Sequence, residues 1–300
     1  MKNSRLCLLF IVIFLPSNIT ANNINDTLFN IQNHNNPMPP TLFVLLAGTY
    51  YYVENAWWSD NTKDFHFDKG ADLTYALNVD KAGHFMGGVL VSELAYEYFF
   101  IDQKNKEAIY QSAGIGFLTQ LAIEVKDGYA PHWGFSFGDL ISGGAGALFF
   151  IGKKTLPSFE MIDVKFSYWK HSNSYSKIER QRYLATEGRN PKNLWYEDYP
   201  NQTYWLSFDV KKITEKEYWP DYLNIAIGFG LDDTQKLNSN LTKVGGKNEF
   251  YLAIDYNIPK LFKKYNSPKA KKIKKWLNYF KFPAPTIQIY PTTKIYPFFL

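Results

Sequence analysis

Three short polar clusters hold the residues of this chain whose types and spacing could do chemistry. They are Asp80-Lys81-Ala82-Gly83-His84, Glu124-Val125-Lys126-Asp127-Gly128 and Gly134-Phe135-Ser136-Phe137-Gly138-Asp139. One imidazole among several carboxylates is a nitrogen and oxygen donor set for a divalent metal, with His84, Glu124 and Asp139 as the ligands. The same groups could move protons, a carboxylate working with His84 as general acid and base. A structural role fits them too. Asp80 and Asp139 are acids at helix starts, where they complement the helix dipole, and Lys81 could neutralise a buried Glu124. Other familiar chemistries are absent: there is no phosphate-binding Gly-rich loop ending in Lys-Ser/Thr, no GxSxG turn and no HExxH. The single cysteine, Cys7, can build neither a disulfide framework nor a cysteine zinc site.

The elements that must position these clusters are helices. Four are expected, at residues 41–58, 80–100, 104–124 and 136–151. The last begins with Ser136 and Asp139 spaced as a capping box. Asp80 opens the second helix, Glu124 closes the third and Asp139 lies in the first turn of the fourth. If consecutive helices run antiparallel, a start, an end and a start meet at one end of the bundle. That end gathers Asp80, Lys81, His84, Glu124, Asp127 and Asp139, with His132 on the connecting loop. Small residues recur inside the helices: Gly83, Gly87, Gly88, Gly114, Gly116 and the run from Ser142 to Ala147. Each glycine costs a helix about 1 kcal/mol relative to alanine, which is tolerable where backbones must approach closely.

Beyond residue 153 the hydrophobic period changes to two. Residues 204–211, 223–229 and 250–258 alternate strongly, and 159–169 and 286–299 more weakly. The fold class expected is therefore α+β: an N-terminal four-helix, small-residue-rich bundle at 41–152, then an antiparallel sheet of about five or six strands at 153–300. Strands near ten residues with aromatic ends also fit an outer-membrane barrel, but such a barrel needs about eight strands. Within 268–281 the apolar residues Ile273, Trp276, Leu277 and Phe280 fall at helical spacing, flanked by lysines. This basic amphipathic helix is expected to meet anionic lipid through Lys271, Lys272, Lys274, Lys275, Trp276 and Phe280.

Charge and composition point the same way. The formal net charge is +5, but residues 22–255 carry 21 basic against 28 acidic side chains. Beyond Asp255 come ten lysines and no acid. That distribution argues for a local basic patch rather than a nucleic-acid-binding protein. Aromatic residues make up 18% of the chain, a share common where a surface meets lipid or sugar. At the N-terminus, Lys2 and Arg5 precede a ten-residue apolar run, Leu6 to Leu15, broken by Pro16 and followed by Ala21. This is the pattern of a signal peptide at 1–21, leading to a flexible Asn- and Pro-rich segment at 22–40. The expected destination is the periplasm or outer membrane of a Gram-negative bacterium.

Taken together, Phe65-His66-Phe67, Asp80-Lys81-x-Gly83-His84, Glu124-x-x-Asp127-Gly128 and Trp133-Gly134-Phe135-Ser136-x-Gly138-Asp139 resemble a family of uncharacterised bacterial envelope proteins. That family is typified by the YfiM-type periplasmic lipoprotein. Longer, Bacteroidetes-like versions share the run from Asp198 to Ser207 and the segment Leu223-Asn224-Ile225-Ala226-Ile227-Gly228. The resemblance covers roughly residues 40–260. The order Asp-Lys…His, Glu, Asp is more loosely similar to VanZ-type membrane proteins. Where the family carries Asn four residues after the last Asp, this chain has Gly143. The resemblance implies an envelope address and a site, not a reaction. The expected function is a membrane-associated envelope protein with a structural or binding role. The alternative is a hydrolase or transferase acting on an envelope lipid or glycan through the Asp/Glu/His cluster, with a divalent metal as the possible cofactor.

Overall fold

The structure, a computed structural model, describes residues 58, 62–70, 73–100, 105–131, 133–169, 173–188, 190–191 and 194–300. The expected signal peptide, the lead-in, the helix at 41–58 apart from Trp58, and His132 lie outside the described residues. The protein is mixed α+β, with helices on one side and a six-stranded antiparallel sheet on the other.

Three long helices stand where the sequence placed them: α1 (Val79–Tyr98), α2 (Lys106–Asp127) and α3 (Phe137–Thr155). Asn105 caps α2 by accepting from the Ala108 amide at 2.8 Å, and Ser136 caps α3 by accepting from Asp139 N at 3.0 Å. The glycines sit where the backbones touch. A Cβ on Gly88 would lie 2.1 Å from the Gly143 carbonyl oxygen, and one on Gly146 would lie 2.0 Å from that of Phe85. No other residue fits there, so α1 and α3 pack backbone to backbone.

The sheet has the strand order β1-β2-β3-β6-β7-β8, formed by Ile162–Tyr168, Gln202–Phe208, Leu223–Leu231, Asn248–Tyr256, Ala284–Tyr290 and Lys294–Phe299. A small hairpin, β4 (Lys236–Leu237) and β5 (Lys243–Val244), leaves the sheet between β3 and β6. Segment 286–299, expected as one strand, is two strands, because Pro291 cannot donate to a ladder and marks the turn between them.

The helix α4 (Asn173–Glu187) was not expected. Its buried stripe has helical spacing, but it is built from Tyr175, Glu179, Tyr183 and Glu187, so apolarity does not mark it.

Helix α1 packs on β1 and β2 through Met86 and Val89 against Val164, Phe166 and Tyr204. The basic helix α5 spans Pro268–Leu277, and part of its lysine face turns toward the protein. Lys274 is buried and donates to the Phe262 carbonyl at 3.0 Å. Lys275 pairs with Glu97 at 2.8 Å and with Glu93, and Lys272 lies 3.8 Å over the Tyr98 ring. Glu93, buried in α1, needs counter-charge, and this draws the lysine face inward. Lys271 and Phe280 are exposed, as are Ile273 and Leu277, while Trp276 is half-buried and stacks near Tyr279.

Candidate functional site

The start of α1, the end of α2 and the start of α3 meet at one end of the helical layer. His84, Glu124 and Asp139 each offer a ligand atom, and these atoms lie within 4.8 Å of one another. The Glu124 carboxylate is fixed from one side: Oε2 accepts from the Ser136 amide at 2.9 Å, at the positive end of α3. Its other oxygen, Oε1, is buried without a hydrogen-bond partner and stands 3.6 Å from His84 Nδ1. Asp139 Oδ1 likewise has no hydrogen bond, although Lys81 Nζ lies 3.4 Å away. Lys81 also stands 3.9 Å from Asp80.

His84 is oriented by a residue that the sequence reading did not single out. Its Nδ1 lies 2.9 Å from Gln120 Oε1, and with the proton on Nδ1 that contact is a hydrogen bond and Nε2 is left to ligate. Gln120 is one helical turn before Glu124, so the two side chains share a face of α2. It reaches His84 because Gly87 and Gly143 leave room on either side. A Cβ on Gly143 would lie 2.4 Å from Gln120 Cγ, and one on Gly87 would lie 2.8 Å from Gln120 Nε2.

The carboxylates raise one another's proton affinity. Burial, then Asp127 and Asp139, push Glu124 up to about 9, although the Ser136 amide opposes this. Burial and Asp139 push Asp127 up to about 7 against the hydrogen bond from Trp58 Nε1, which is 2.7 Å long. Lys126 lies 4.0 Å over the ring of that Trp58. All six residues expected at this end are therefore near one another, and five of them, all but Lys81, line one cavity of about 650 Å³.

The cavity is closed elsewhere by residues from the second half of the chain, among them Tyr199, Tyr204, Arg182, Glu197 and Lys243. Arg182 and Lys243 both engage Glu179, Arg182 at 3.3 Å. Arg182 and Lys243 went unrecognised because α4 and β5 did, whereas Tyr199 and Tyr204 fall in the run from Asp198 to Ser207 without being singled out as cavity residues. The backbone entering the site is unusual. Ala76, Leu77 and Asn78, just before α1, all have positive φ, at 48°, 45° and 68°. Left-handed residues cost roughly 1–2 kcal/mol each outside glycine. Asn248 holds the Leu77 carbonyl at 2.8 Å and Gln235 that of Thr74 at 3.1 Å, so the bend that sets the direction of Asp80 is tied to the sheet side.

No family model matches this chain, and neither does any curated protein or solved structure.

The donor set fits a divalent cation. It has one imidazole nitrogen and two carboxylates, with a buried carboxylate oxygen left without a hydrogen bond. Cations of the zinc, manganese or magnesium kind take such mixed nitrogen and oxygen ligands.

Proposed function

We propose that this is a secreted, membrane-associated protein of the Gram-negative cell envelope that acts on an envelope lipid or glycan held in the 650 Å³ cavity, as a hydrolase or transferase. His84, Glu124 and Asp139 would hold a divalent cation at the cavity wall, with Lys81 balancing the charge of Asp80 and Asp139. A cation there supplies Lewis-acid polarisation of a phosphoryl or carbonyl oxygen. Asp127, raised to about 7 and lining the same cavity, is the group best matched to move a proton near neutral pH. The likeness to the YfiM-type envelope family supports the address and the choice of residues. Completing the reading, residues 41–58 would form the fourth helix of the bundle. Trp58 is anchored on Asp127, and Ile141 and Leu148 on the outer stripe of α3 are exposed among the described residues.

The observation that carries the proposal is Glu124 Oε1. It is a buried carboxylate oxygen with no hydrogen bond, set beside His84 in a cavity large enough for a ligand. Titration calorimetry with Mn²⁺, Zn²⁺ and Mg²⁺ tests it. The full chain should bind one equivalent of at least one of these ions, and Glu124→Gln and Asp139→Asn should abolish binding while the protein stays folded. Equal binding by wild type and both variants, or none by wild type, would overturn it.

A second reading, binding without reaction, draws support from the Glu179–Arg182–Lys243 network, which gives the cavity a preformed wall. Turnover assays with envelope phospholipid and glycan fragments separate the two.

A further inference from the structure

The sheet turns an apolar face outward. Across its strands the register aligns Val164, Leu206, Ile227, Leu252, Ile287 and Ile295 in one row on one face. The next row on that face is aromatic: Phe166, Tyr204, Phe229, Phe250 and Tyr290. On the opposite face the same strands carry a buried polar network beside an aromatic cluster of Trp205, Tyr251, Tyr296 and Phe299. Lys165 pairs with Asp255 at 2.6 Å, Ser207 donates to Asp255 at 2.6 Å and Asn224 donates to Ser207 at 3.0 Å. Trp205 donates to Ser167 at 2.9 Å, and every one of these polar side chains is essentially inaccessible.

The polar face is buried because the sheet curls. Residues 279–281 run alongside the free edge of β1, with the Lys281 amide donating to the Phe166 carbonyl at 2.9 Å. Three residues later the chain enters β7 at Ala284. In a flat sheet β1 and β7 would be four strand spacings apart, about 19 Å. Three residues reach at most about 11 Å. The sheet must therefore close toward itself, and Phe299 of β8 lies 6.0 Å from Trp205 of β2 and 4.7 Å from Tyr251 of β6.

Among the described residues the convex face is covered only in part. Helix α1 sits on its β1–β2 side, on Val164, Phe166 and Tyr204. Beyond that, Leu206, Ile227, Leu252, Ile287 and Ile295 are between 40% and 76% exposed, and Phe250 and Tyr290 are about half exposed. Water against such a surface is unfavourable over its whole breadth.

We propose that the uncovered convex face of β3, β6, β7 and β8 is the membrane-contact surface of this protein, resting in the interfacial and upper acyl region of an anionic bilayer. Alternation of apolar-out with polar-in is the arrangement that lipid selects in a sheet, and an aromatic row beside an aliphatic one matches the boundary between acyl chains and headgroups. Strands β3, β6 and β7 are each paired on both sides, so their backbone groups need no water. A curved face is poorly covered by one flat protein partner, whereas lipid conforms to it. Exposed lysines 263, 264, 269, 271 and 294 belong to the same C-terminal stretch, which carries no acid to repel anionic headgroups. The proposal rests on the envelope address given above but not on the chemistry at His84.

Labelling tests it cleanly, since Cys7 is the single native cysteine. In the full chain carrying Cys7→Ser, an environment-sensitive fluorophore is placed at Ile227→Cys, Ile287→Cys or, as a loop control, Lys216→Cys. With vesicles of phosphatidylethanolamine and phosphatidylglycerol, the two sheet labels should brighten severalfold and be quenched by acyl-chain spin labels, while Lys216→Cys should not change. Ile227→Asp with Ile287→Asp should lower the vesicle-bound fraction at least tenfold with the melting temperature retained. Four results would overturn the proposal. The sheet labels could stay open to aqueous iodide with vesicles present. They could be protected without lipid in a dimer. Binding could survive the paired Asp substitutions. Binding could be lost only when the exposed lysines become Gln. Divalent-cation binding measured on the same preparations keeps the two readings apart: if it persists while vesicle binding fails, only the membrane face is wrong.

Discussion

Two groups of buried charge line the same cavity, and they are balanced in opposite ways. In one, α4 and β5 bring Glu179 together with Arg182 and Lys243. Lys243 also donates to the Tyr175 hydroxyl at 2.7 Å and stands 3.6 Å from the Tyr75 ring. Burial alone would push Glu179 up, but Lys243 and then Arg182 outweigh it and hold the carboxyl below its usual range. In the other, the helix ends bring Asp80, Glu124, Asp127 and Asp139 around Lys81 and His84, and Glu124 and Asp127 are pushed up instead. The first group sets Arg182 and Lys243 against Glu179 and its neighbour Glu197, which burial and then Glu179 push well up, so its cations match its carboxylates in number. The second has carboxylates in excess and is complete only with a proton or a cation added. Burial is common to both, so burial does not mark a site; the excess of carboxylate over cation does.

The comparison is most easily broken at Lys243. Lys243→Met strands Glu179 in the interior, and removing one partner of a buried pair costs about 3–5 kcal/mol. Chemical denaturation should show a loss of that size, the largest of the four effects. A wild-type midpoint would mean that the network is not structural. Glu124→Gln should behave in the opposite sense. It replaces a carboxyl that folding must protonate near neutral pH with a neutral amide, so the metal-free protein should be as stable as wild type or gain on the order of 1 kcal/mol. The variant should also lose the stabilisation that a saturating cation gives wild type, about 2.7 kcal/mol at a hundredfold excess over the dissociation constant. A Glu124→Gln protein that melts earlier than wild type in chelator would place Glu124 with Glu179, as a structural carboxylate.

Titration sharpens the same contrast. Glu124 in the folded, metal-free protein keeps its proton up to about 9, whereas the unfolded chain releases it near 4.5. Between those values the folded state binds more protons, so stability falls as pH rises. The contribution is fully present below about pH 4.5 and is lost on passing through about 9. Melting temperatures in chelator should therefore decline from pH 5.5 toward pH 8.5, by a slope that Glu124→Gln flattens. Glu179, depressed by its cations, works the other way, and its stability is lost only as pH falls through its folded value. A wild-type slope unchanged in Glu124→Gln would assign the decline to another group.

How much of this was legible in the sequence follows from which interactions are local. The start–end–start placement of Asp80, Glu124 and Asp139 could be read because caps and helix lengths are local properties, and α1–α3 fall within a few residues of expectation. Alternation revealed the central strands. Helix α4 stayed hidden because its buried stripe is tyrosine and glutamate, and with it went Arg182 and Glu179. Lys243 sits on a two-residue strand that no periodicity can announce. The basic helix could be recognised as two-faced, but which face turns inward depends on Glu93 and Glu97 across space, and they took Lys275. Apolar-out alternation in the sheet was equally visible, but only the register and the curl show that its polar face is the closed one.

The smallest effect expected concerns Gln120 and Gly143, and it bears on how the metal-type cluster is held. The proposed likeness to the YfiM-type family would put Asn at the position of Gly143, a departure that would put the site in question if that amide were needed. The structure places an amide there from a different helix. Gln120 crosses from α2, lies against the space over Gly143 and reaches His84 Nδ1 at 2.9 Å. Loss of a partner that orients a metal-ligating histidine typically weakens affinity 10–100-fold. Gln120→Ala should accordingly weaken cation binding by about tenfold, roughly 1.4 kcal/mol, with little change in the melting temperature measured in chelator. Gly143→Asn alone should do similar harm by a different route, since its Cβ would meet Gln120 Cγ at 2.4 Å and push the amide from His84. The double variant, with the asparagine present and the glutamine gone, should recover part of the lost affinity. If it binds no better than Gln120→Ala alone, Gln120 is not doing what an asparagine amide at position 143 would do. If Gln120→Ala stays within twofold of wild type, His84 is held by its ring packing and by Glu124 rather than by the amide.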